Sequence, residues 1–277
     1  MKIGIIGQGF VGNAIYQKFK NYFDVLTYDL DKSKCNSTFS DLMVCNTIFL
    51  CLPTPMNMDG SCNVDIVQKT LSEIDLIADN QEVKKTIVIK STVSPGTTKK
   101  WNSSYQSLDI VFNPEFLTEA NAVDDFNNQN RIILGGPRPA TTELRRLYSK
   151  VFPKAHIIKT DSTHAEMVKY LTNSFLATKV SFANEMYQIC EKLKVDYDKV
   201  IEYATLDDRL GNSHWNVPGP DGDFGFGGHC LPKDLHALIS LAHDLNVSPR
   251  ILNAVDTKNN EVRTEFDWKL MKGRAII

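Results

Sequence analysis

Residues 1–29 read MKIGIIGQGFVGNAIYQKFKNYFDVLTYD, and this stretch decides the fold. An apolar run, Lys2–Gly7, leads into Gly-x-Gly-x-x-Gly at Gly7–Gly12. A helical pattern over Phe10–Phe19 follows, and a second apolar run ends at Asp29. The glycine pattern alone is weak evidence, but a preceding strand, a following helix and an acidic residue after the next strand complete a dinucleotide-binding signature. The sequence therefore predicts that the chain begins with a strand, a phosphate-binding turn and a helix.

The glycine turn has the features that a bound pyrophosphate requires. Gly7 permits a tight turn, Gly9 lets a phosphate approach the backbone, and Gly12 lets the helix pack closely on the strand. The first helical residues, Phe10 and Val11, present free N–H groups and the positive end of the helix dipole. A glycine-rich turn that holds no ligand is the alternative.

Asp29 bears on the choice between the two nicotinamide cofactors. Its carboxylate can accept hydrogen bonds from the adenosine ribose, and its charge repels the additional phosphate of NADP. Lys32 and Lys34 lie close by in sequence, and their positive charges mean that NADP is not excluded as the cofactor. Lys34 is a candidate cofactor contact. We expect the cofactor to be NAD.

Composition and charge bound the class of protein. The 277 residues are 42% hydrophobic and 23% charged, with a net charge of −2, which indicates no electrostatic attraction to nucleic acid or to an anionic membrane. We find no secretory signal and no apolar run of membrane-spanning length, so we expect a cytoplasmic protein. None of the six cysteines forms a Cys-x-x-Cys pair, and His229, His236 and His243 are too far apart along a helix to share one ion. We therefore expect no metal site.

Ile- and Val-rich runs alternate with helical patterns over the first part of the chain. They predict buried strands joined by right-handed crossovers, and so an α/β fold with a Rossmann-type, doubly wound parallel sheet. We expect this NAD-binding domain to span residues 1–160. The predicted strands are Lys2–Gly7, Asp24–Asp29, Asn46–Leu52, Thr86–Thr92, Asp109–Asn113, Arg131–Gly135 and His156–Lys159.

The remainder of the chain predicts an all-helical middle domain over residues 161–277. Ser162 or Thr163 can cap its first and longest helix, with Glu166 completing a capping box. The glycine-rich segment Gly211–Gly228 is a loop, and a loop of this length in a compact domain is usually functional. The predicted helices are Ser162–Leu193, Asp196–Ala204, Pro232–Leu245 and Arg250–Lys269.

The loop ends in FGFGGHCLPKD, residues 224–234. A helix that begins near Pro232 places Cys230 close to its positive end, which lowers the pKa of a thiol, and Lys233 adds a second positive charge. A thiolate at this position can attack an aldehyde and form a covalent adduct. A buried structural cysteine beside a turn is the alternative.

Four further polar residues are candidates for the chemistry. Lys169 and Asn173 are four residues apart, so they share one face of the predicted helix, where an ammonium and a carboxamide can stabilise an oxyanion. Thr92 and Glu115 end predicted strands or follow them, and ligands bind at the carboxyl ends of parallel strands. The alternatives are an exposed surface pair in the first case and turn or cap residues in the second.

Several of these segments together resemble the UDP-glucose/GDP-mannose dehydrogenase family. They follow the family order over nearly the whole chain, and the Phe-Gly-Gly-x-Cys-x-x-Lys-Asp segment is highly specific. The resemblance implies an NAD-dependent, four-electron oxidation of a nucleotide-sugar C6 alcohol to a carboxylate. The matching segments are Gly7–Gly12, Pro53–Pro55, Lys90–Thr97, Asn113–Glu119, Arg131–Gly135, Glu166–Glu185 and Gly225–Asp234.

The resemblance also implies roles for individual residues. Cys230 matches the thiolate that captures the aldehyde and carries the thioester. Lys169 and Asn173 match the family's groups that stabilise the oxyanion. Asp234 and Thr92 match groups that organise a water molecule, and Glu115 matches a group implicated in hydrolysis of the thioester. Cofactor contacts are matched by Pro53, Thr54, Thr92 and Lys233, and substrate contacts by Glu115, Phe116, Leu117, Glu119, Lys169, Asn173, Phe224, Gly227 and Gly228.

Members of the family normally continue into a third domain that holds the nucleotide of the substrate. Residues 271–277 resemble the approach to its first strand, so we expect this chain to lack that domain and a partner subunit or separate chain to supply contacts. The family commonly dimerises through its middle helices, so we expect a homodimer. His229 is similar to the acetylhexosamine members, whereas Phe226 and Leu231–Asp234 are similar to the glucose and mannose members. We favour UDP-glucose as the substrate.

Two competing hypotheses stay open. A two-electron dehydrogenase of the 6-phosphogluconate or hydroxyisobutyrate type uses a helix lysine and needs no cysteine, so a Cys230→Ser variant separates it from the four-electron enzyme. An inactive NAD-binding module binds NAD without turnover. The presence of Cys230, Lys169 and Asn173 argues against such a module, which has no physical need for all three.

Overall fold

The computed structural model describes residues 1–119 and 121–277, which fold into two compact units. The first unit comprises Met1–Thr54 and Val64–Lys169, and the second comprises Pro55–Asn63 and Tyr170–Ile277. Apolar core clusters are found in both units.

A seven-stranded sheet forms the centre of the first unit, in the order β2-β1-β3-β4-β5-β6-β7. All seven predicted apolar runs form strands, and β3 and β4 are buried along their whole length, as expected for strands covered on both faces. The predicted α/β fold with a Rossmann-type sheet is confirmed. The strands are β1 (Lys2–Ile6), β2 (Asp24–Tyr28), β3 (Thr47–Leu50), β4 (Lys85–Ile89), β5 (Leu108–Phe112), β6 (Arg131–Gly135) and β7 (His156–Thr160).

Helices cover both faces of this sheet. One core cluster joins β-strand side chains to α1, α4 and α5, and the other joins them to α2 and α3. The first helix begins and ends at the predicted residues. The helices of this unit are α1 (Phe10–Phe19), α2 (Asp65–Asn80), α3 (Thr97–Ser104), α4 (Ala122–Asn127) and α5 (Arg138–Val151), with short 3-10 helices at Lys32–Lys34 and Asp41–Val44.

The sheet departs from the prediction in the direction of its last two strands. β5 and β6 pair antiparallel, with Phe112 opposite Gly135, and β7 runs parallel to β6. The connection from β5 to β6 spans residues 113–130 and contains the six-residue helix α4, and it returns the chain in the opposite direction. The sheet is therefore mostly, not wholly, parallel.

The second unit consists of helices, a loop and a short hairpin. Met56 pairs with Cys62 in the hairpin, and the Met56 N–H donates to the Ala275 carbonyl at 2.8 Å. The longest helix, α6, begins at the end of the first unit and enters the second at Tyr170. The elements are α6 (Ser162–Leu193), α7 (Tyr197–Ala204), α8 (Cys230–Asp244), α9 (Arg250–Val262) and a 3-10 helix at Asp267–Leu270.

Two predicted helix ends and one predicted helix cap differ from the structure. The α8 helix begins at Cys230 instead of Pro232. The last predicted helix ends at Val262, because Arg263 takes an extended backbone conformation and turns its guanidinium towards Asp221 and Asp267. At the start of α6, Asp161 accepts the backbone N–H of His164 at 3.1 Å, so neither Ser162 nor Thr163 is the cap.

The predicted capping box at Glu166 is also wrong. This fully buried carboxylate accepts the backbone N–H groups of Gly96 at 2.6 Å and Thr98 at 2.8 Å, and so it caps α3 instead of its own helix. Burial raises the pKa of Glu166 above its usual range, although the Thr98 and Gly96 donors act in the opposite direction.

Candidate active site

The glycine turn joins β1 to α1 and depends on two close approaches. Gly7 has a positive φ of 92°, and a Cβ there would overlap the Cys51 carbonyl oxygen. A Cβ at Gly12 would overlap the Gly7 carbonyl oxygen, which locks helix to turn. At Gly9, in contrast, a Cβ would meet no atom within 4 Å. The turn therefore leaves an open cradle at the N-terminus of α1, and this cradle fits a pyrophosphate.

Asp29 follows β2 and faces the same turn. Its Oδ2 accepts the Gln8 N–H at 2.6 Å, and its Oδ1 accepts the Asp31 N–H at 2.9 Å. Each carboxylate oxygen has capacity for a further hydrogen bond, so ribose hydroxyls remain compatible partners. Lys34 Nζ forms an exposed ion pair with Asp31 at 3.3 Å, and the Asp31 carboxylate partly offsets the charge of the lysine.

The loops after β3 and β4 lie side by side at the carboxyl edge of the sheet. Thr54 Oγ1 donates to the Thr92 carbonyl at 2.8 Å, while Pro53 is exposed. Ser91 bridges the two loops, because its Oγ donates to the Leu52 carbonyl at 2.6 Å and accepts the Leu52 N–H at 3.0 Å. Ser91 belongs to the Lys-Ser-Thr segment at residues 90–92, but no local pattern in the sequence marks it as a bridge between loops.

β1 and β3 mark the point where the strand order reverses. The turn Gly7–Gly12 follows β1, and Pro53 and Thr54 follow β3. In open α/β sheets ligands bind outside the carboxyl ends of the strands at such a switch point. The predicted cofactor residues that follow β1 and β3 thus lie at the switch point of the sheet.

Glu115 and Lys169 form a buried ion pair within the first unit. Lys169 Nζ donates to the Glu115 carboxylate at 2.9 Å and to its backbone carbonyl at 2.7 Å, and the residues are 3% and 8% exposed. Burial alone raises the pKa of Glu115, but the charge of Lys169, the Leu117 N–H and the charge of Lys90 outweigh burial and hold this pKa below its usual range. Glu115 is therefore an ionised carboxylate at neutral pH, held against a cation.

The residues after Glu115 continue this arrangement. The Leu117 N–H donates to Glu115 Oε2 at 2.7 Å. Lys169 Nζ and the Arg131 guanidinium lie over the Phe116 ring, 5.6 Å and 4.2 Å from its centroid. Glu119 lies on the surface beside a cavity of about 210 Å³ that Phe10 also lines.

Cys230 is the first residue of α8 in the second unit. Its Sγ lies 3.5 Å from His229 Nε2, and it is partly exposed. A thiol in the first turn of a helix experiences the positive end of the helix dipole, which favours the thiolate. Cys230 lies closer to the helix end than the sequence predicted, and its role as a nucleophile stays a prediction.

Three side chains behind Cys230 form a buried polar network. Asn173 Nδ2 donates to Asp234 Oδ2, and Lys233 Nζ donates to Asp234 Oδ1, each at 2.6 Å. Burial alone lowers the pKa of Lys233, but Asp234 and the thiols of Cys62 and Cys230 outweigh it and raise that pKa. Lys233 is therefore a permanent cation near the thiol.

The glycines before Cys230 are held by side chains from α9 and the segment after it. Asn259 Oδ1 accepts the Phe226 N–H at 2.7 Å, its Nδ2 donates to the Phe226 carbonyl at 3.0 Å, and Asp267 Oδ2 accepts the Gly228 N–H at 3.0 Å. A Cβ at Gly227 would overlap the Arg263 guanidinium. Asn259, Arg263 and Asp267 were missed in the sequence, because no local pattern marks them.

Phe224 shares one neighbour with these glycines, because the Arg263 guanidinium also donates to the Phe224 carbonyl at 3.3 Å. Its ring lies against Tyr187, with 5.7 Å between ring centroids, within the apolar cluster that includes Trp215. Phe224 thus has a packing contact in this structure, and its contact to a substrate stays a prediction.

Two further findings concern ligands and membranes. In residues 1–119 and 121–277, no group of three or more histidine, cysteine or acidic side chains is arranged to hold a metal ion. His236 instead contacts Asp256, with 2.8 Å between Nε2 and Oδ1. No helix within the same described residues has the length and apolar character needed to span a membrane.

The fold and the glycine turn define an NAD-binding dehydrogenase, and comparisons with known proteins identify its family. The NAD-binding domain model of the UDP-glucose/GDP-mannose dehydrogenase family matches residues 37–152, and the central domain model of that family matches residues 163–261. The chain belongs to the UDP-glucose/GDP-mannose dehydrogenase family. It is therefore an NAD-dependent dehydrogenase of the nucleotide-sugar class, as predicted.

Individual relatives are similar over most of the chain. UDP-glucose 6-dehydrogenase AglM of Haloferax volcanii is 30% identical over 96% of this chain and 71% of its own length. UDP-glucose 6-dehydrogenase TuaD of Bacillus subtilis is 31% identical over 99% of this chain and 68% of its own length. The solved structure of a UDP-glucose dehydrogenase from Pyrobaculum islandicum matches 94% of this chain and 68% of its own, at 27% identity and a TM-score of 0.85.

Proposed function

We propose that this chain oxidises the C6 alcohol of UDP-glucose to the carboxylate in two NAD-dependent steps, through a covalent intermediate on Cys230. The observation that carries the proposal is the placement of Cys230 as the first residue of α8, with the cation Lys233 held nearby by Asp234. The relatives named above supply the choice of UDP-glucose. The proposed domains are an NAD-binding domain over residues 1–160 and a helical domain over residues 161–277.

Bound NAD supplies the oxidising power, because it accepts a hydride from the sugar carbon once in each of the two steps. The Gly7–Gly12 turn and the α1 N-terminus hold the pyrophosphate, and Asp29 accepts the ribose hydroxyls. Gly9 leaves room for this approach. Pro53, Thr54, Thr92 and Lys233 are the further proposed cofactor contacts.

In the proposed covalent chemistry Cys230 acts as a nucleophile. Its thiolate adds to the C6 aldehyde, and the resulting oxyanion takes a proton to give a thiohemiacetal. Loss of a hydride and a proton from that adduct leaves a thioester. Water then attacks the thioester carbonyl, the carbon–sulfur bond breaks, and the carboxylate and the thiolate are released.

The remaining polar residues have separate proposed roles in these steps. Lys169 and Asn173 stabilise the oxyanions that form at C6, because a cation and an amide donor favour negative charge in a buried site. Glu115, ionised beside Lys169, serves the hydrolysis of the thioester. Thr92 and Asp234 organise the attacking water. The further proposed substrate contacts are Phe116, Leu117, Glu119, Phe224, Gly227 and Gly228.

The test is the number of NADH molecules formed per sugar, measured at 340 nm with limiting UDP-glucose, GDP-mannose or UDP-N-acetylhexosamine. The proposal predicts two NADH per UDP-glucose for the wild-type chain, and at most one for Cys230→Ser. One NADH per sugar, unchanged in Cys230→Ser, supports a two-electron dehydrogenase. NAD binding without NADH formation supports an inactive module. Cys190→Ser, which changes a buried cysteine of α6, is the matched control and keeps both NADH.

The same proposal includes a homodimer formed through α6. Five large apolar side chains on the part of α6 in the second unit are exposed: Leu171, Phe175, Phe182, Ile189 and Leu193. Their spacing places them on one face of the helix, and an apolar face of this length favours burial against a second copy. Light scattering after gel filtration tests it: the wild-type chain elutes as a dimer, and Phe175→Glu with Phe182→Glu elutes as a monomer. A monomeric wild-type chain contradicts this part of the proposal.

A further inference from the structure

A second buried ammonium lies beside the Glu115–Lys169 pair, and the proposed reaction gives it no role. Lys90 directly follows β4, and its Nζ donates to Asn113 Oδ1 at 3.0 Å and to the Pro114 carbonyl at 3.4 Å. Lys90 is only 4% exposed. Such partners are required, because a charge removed from water is costly unless it is hydrogen-bonded.

The turn that Lys90 contacts, Asn113–Glu115, also carries two hydrogen-bond acceptors of Lys169. Asn113 is fixed on its other sides, since the Tyr148 hydroxyl donates to its Oδ1 and its Nδ2 donates to the Ile133 carbonyl at 2.8 Å. Two residues later, Glu115 presents its carbonyl and its carboxylate to Lys169. The two lysines thus hold the same short turn from different sides.

Charged and titratable groups from four elements surround Lys90. They are the Cys51 thiol after β3, the Glu115 carboxylate after β5, the Tyr148 hydroxyl of α5 and the Lys169 ammonium of α6. Burial lowers the pKa of Lys90 to about 8, Cys51 and Glu115 oppose this shift, and Lys169 adds to it. Because this pKa is below the ordinary 10.5, the folded chain binds the proton less tightly, and the charged form costs stability below about pH 8.

The two hydrogen-bond acceptors of the Lys90 ammonium are a neutral amide oxygen and a backbone carbonyl oxygen, so no direct ion pair within the described residues offsets the cost of its burial. Asn113 Oδ1 keeps the Tyr148 hydroxyl as a donor when the ammonium is removed. Burial of the charge does not by itself indicate a role, but its contact with the turn that carries Glu115 does.

We propose that Lys90 is a positioning residue, whose buried ammonium holds the Asn113–Glu115 turn in the conformation in which Glu115 meets Lys169. This inference rests on the proposed dehydrogenase reaction, in which both residues act. Without the ammonium the turn relaxes, and a displacement of about 1 Å at a reacting group costs on the order of 100-fold in rate.

Lys85 provides a matched control at the opposite end of β4. It is 2% exposed, and its Nζ donates to the carbonyls of Met43 at 2.7 Å and Cys45 at 3.3 Å. Both lysines are thus buried and both contact two acceptors. Lys85 begins β4 at the amino edge of the parallel strands, and its acceptors belong to the segment before β3, not to the Asn113–Glu115 turn.

The first experiment compares Lys90→Met, Lys90→Arg and Lys85→Met by thermal unfolding and by NADH formation between pH 6 and 10. We expect Lys90→Met to lose on the order of 100-fold in kcat, with the KM for NAD within about two-fold and no loss of thermal stability. Wild-type kcat falls as pH rises through about 8, where Lys90 loses its charge. Lys90→Arg restores part of the activity and moves this fall to higher pH, because arginine stays charged. Lys85→Met keeps the wild-type kcat and pH profile.

A second readout needs no turnover. Carbon-13 NMR of labelled glutamate carboxyls, assigned with Glu115→Gln, follows the titration of Glu115 directly. The inference predicts that Lys90→Met raises the pKa of Glu115, because Lys90 helps to keep it low, and that Lys85→Met does not.

Several outcomes overturn the role of Lys90. They are a wild-type kcat and pH profile in Lys90→Met, losses of activity and stability in parallel, or an unchanged Glu115 titration. A wild-type chain that forms no NADH from any nucleotide sugar contradicts the proposed function instead, and the NMR titration still tests the contact between Lys90 and the turn.

Discussion

The two glycine-rich loops of this chain, Gly7–Gly12 and Gly225–Gly228, are held in place by different means. The first is fixed by its own backbone, since a Cβ at Gly12 would overlap the Gly7 carbonyl oxygen. The second is fixed by distant side chains, with Asn259 bonded to Phe226 and Asp267 bonded to Gly228. A loop of the first kind is encoded in a few consecutive residues, whereas a loop of the second kind depends on another part of the chain.

This difference separates the effects of substitution in the two loops. In the first loop, damage comes from atoms added within the turn, and the outcome depends on which glycine is changed. In the second loop, stability is lost when side chains of α9 or of the segment after it are removed. The sequence of the loop itself is unchanged in such variants. The following predictions test the contrast, beginning with the largest effect.

The largest effect is expected for Gly12→Ala. The added Cβ collides with the Gly7 carbonyl oxygen, a backbone atom that cannot move without opening the turn. We expect a loss of roughly 3 kcal/mol or more in the free energy of unfolding, as for a severely overpacked site. Urea denaturation measures it.

The control for this variant is Gly9→Ala in the same turn. Its Cβ meets nothing within 4 Å, and the φ of Gly9 is −68°, which alanine adopts freely. We expect unchanged stability but weaker NAD binding by calorimetry, since the methyl group occupies the cradle. Equal stabilities of the two variants would show that the first loop is not fixed by its own backbone.

Arg263→Met is expected to have the next largest effect, and it acts on the second loop from outside. Its guanidinium, with a side chain 3% exposed, pairs with Asp221 at 2.6 Å and with Asp267 at 3.4 Å. Removal leaves neighbouring carboxylates without their cation. Because these carboxylates are partly exposed, we expect a loss of about 2 to 3 kcal/mol, at the low end for a broken buried pair.

Arg250→Met, at the exposed start of α9, is the control and should leave the urea midpoint unchanged. NAD affinity should be the same in both arginine variants, because the first loop is fixed by its own backbone. A loss of NAD affinity in Arg263→Met together with its loss of stability would contradict the independence of the two loops.

The same contrast explains how much of the fold could be predicted from the sequence. All seven strands and α1 follow from periodic apolar patterns, which depend only on neighbours in sequence. The direction of β6 could not be predicted, because it depends on how the connection from β5 returns. The end of α9 at Val262 could not be predicted either, because the ion pairs of Arg263 involve residues about 40 positions earlier.

The candidate site shows the same limit. The sequence and the family resemblance pointed to Glu115, Lys169, Asn173 and Asp234 as individual residues. Their pairings are not visible locally, because Lys169 and Glu115 are 54 residues apart and Asn173 and Asp234 are 61 apart. For Glu166 a local pattern was misleading. The capping-box pattern predicted that its carboxylate caps α6, whereas it accepts backbone N–H groups at the start of α3.

Asn259→Ala is expected to have a smaller effect on the second loop than Arg263→Met. The variant removes the donor and the acceptor that satisfy both backbone groups of Phe226, at a site where Asn259 is 1% exposed. We expect a loss of about 1 to 2 kcal/mol, the range for buried polar groups left without partners. Asn260→Ala, one residue along on the exposed side of α9, is the control. Similar losses in both variants would mean that helix propensity, not the loop contact, explains the result.

The smallest effect concerns Asp223 and appears only in acid. Burial alone raises the pKa of Asp223, but the N–H groups of Glu265 and Phe224 and the Thr264 hydroxyl outweigh it and lower this pKa to about 2. The folded pKa lies below the ordinary 3.8, so the carboxylate stabilises the fold above about pH 4, and this contribution is lost as pH falls towards 2. Unfolding midpoints measured between pH 2 and 5 should therefore fall less steeply in Asp223→Asn than in the wild-type chain. Thr264→Val removes one donor and should give an intermediate slope, whereas a wild-type slope in Asp223→Asn would show that this carboxylate does not anchor the second loop.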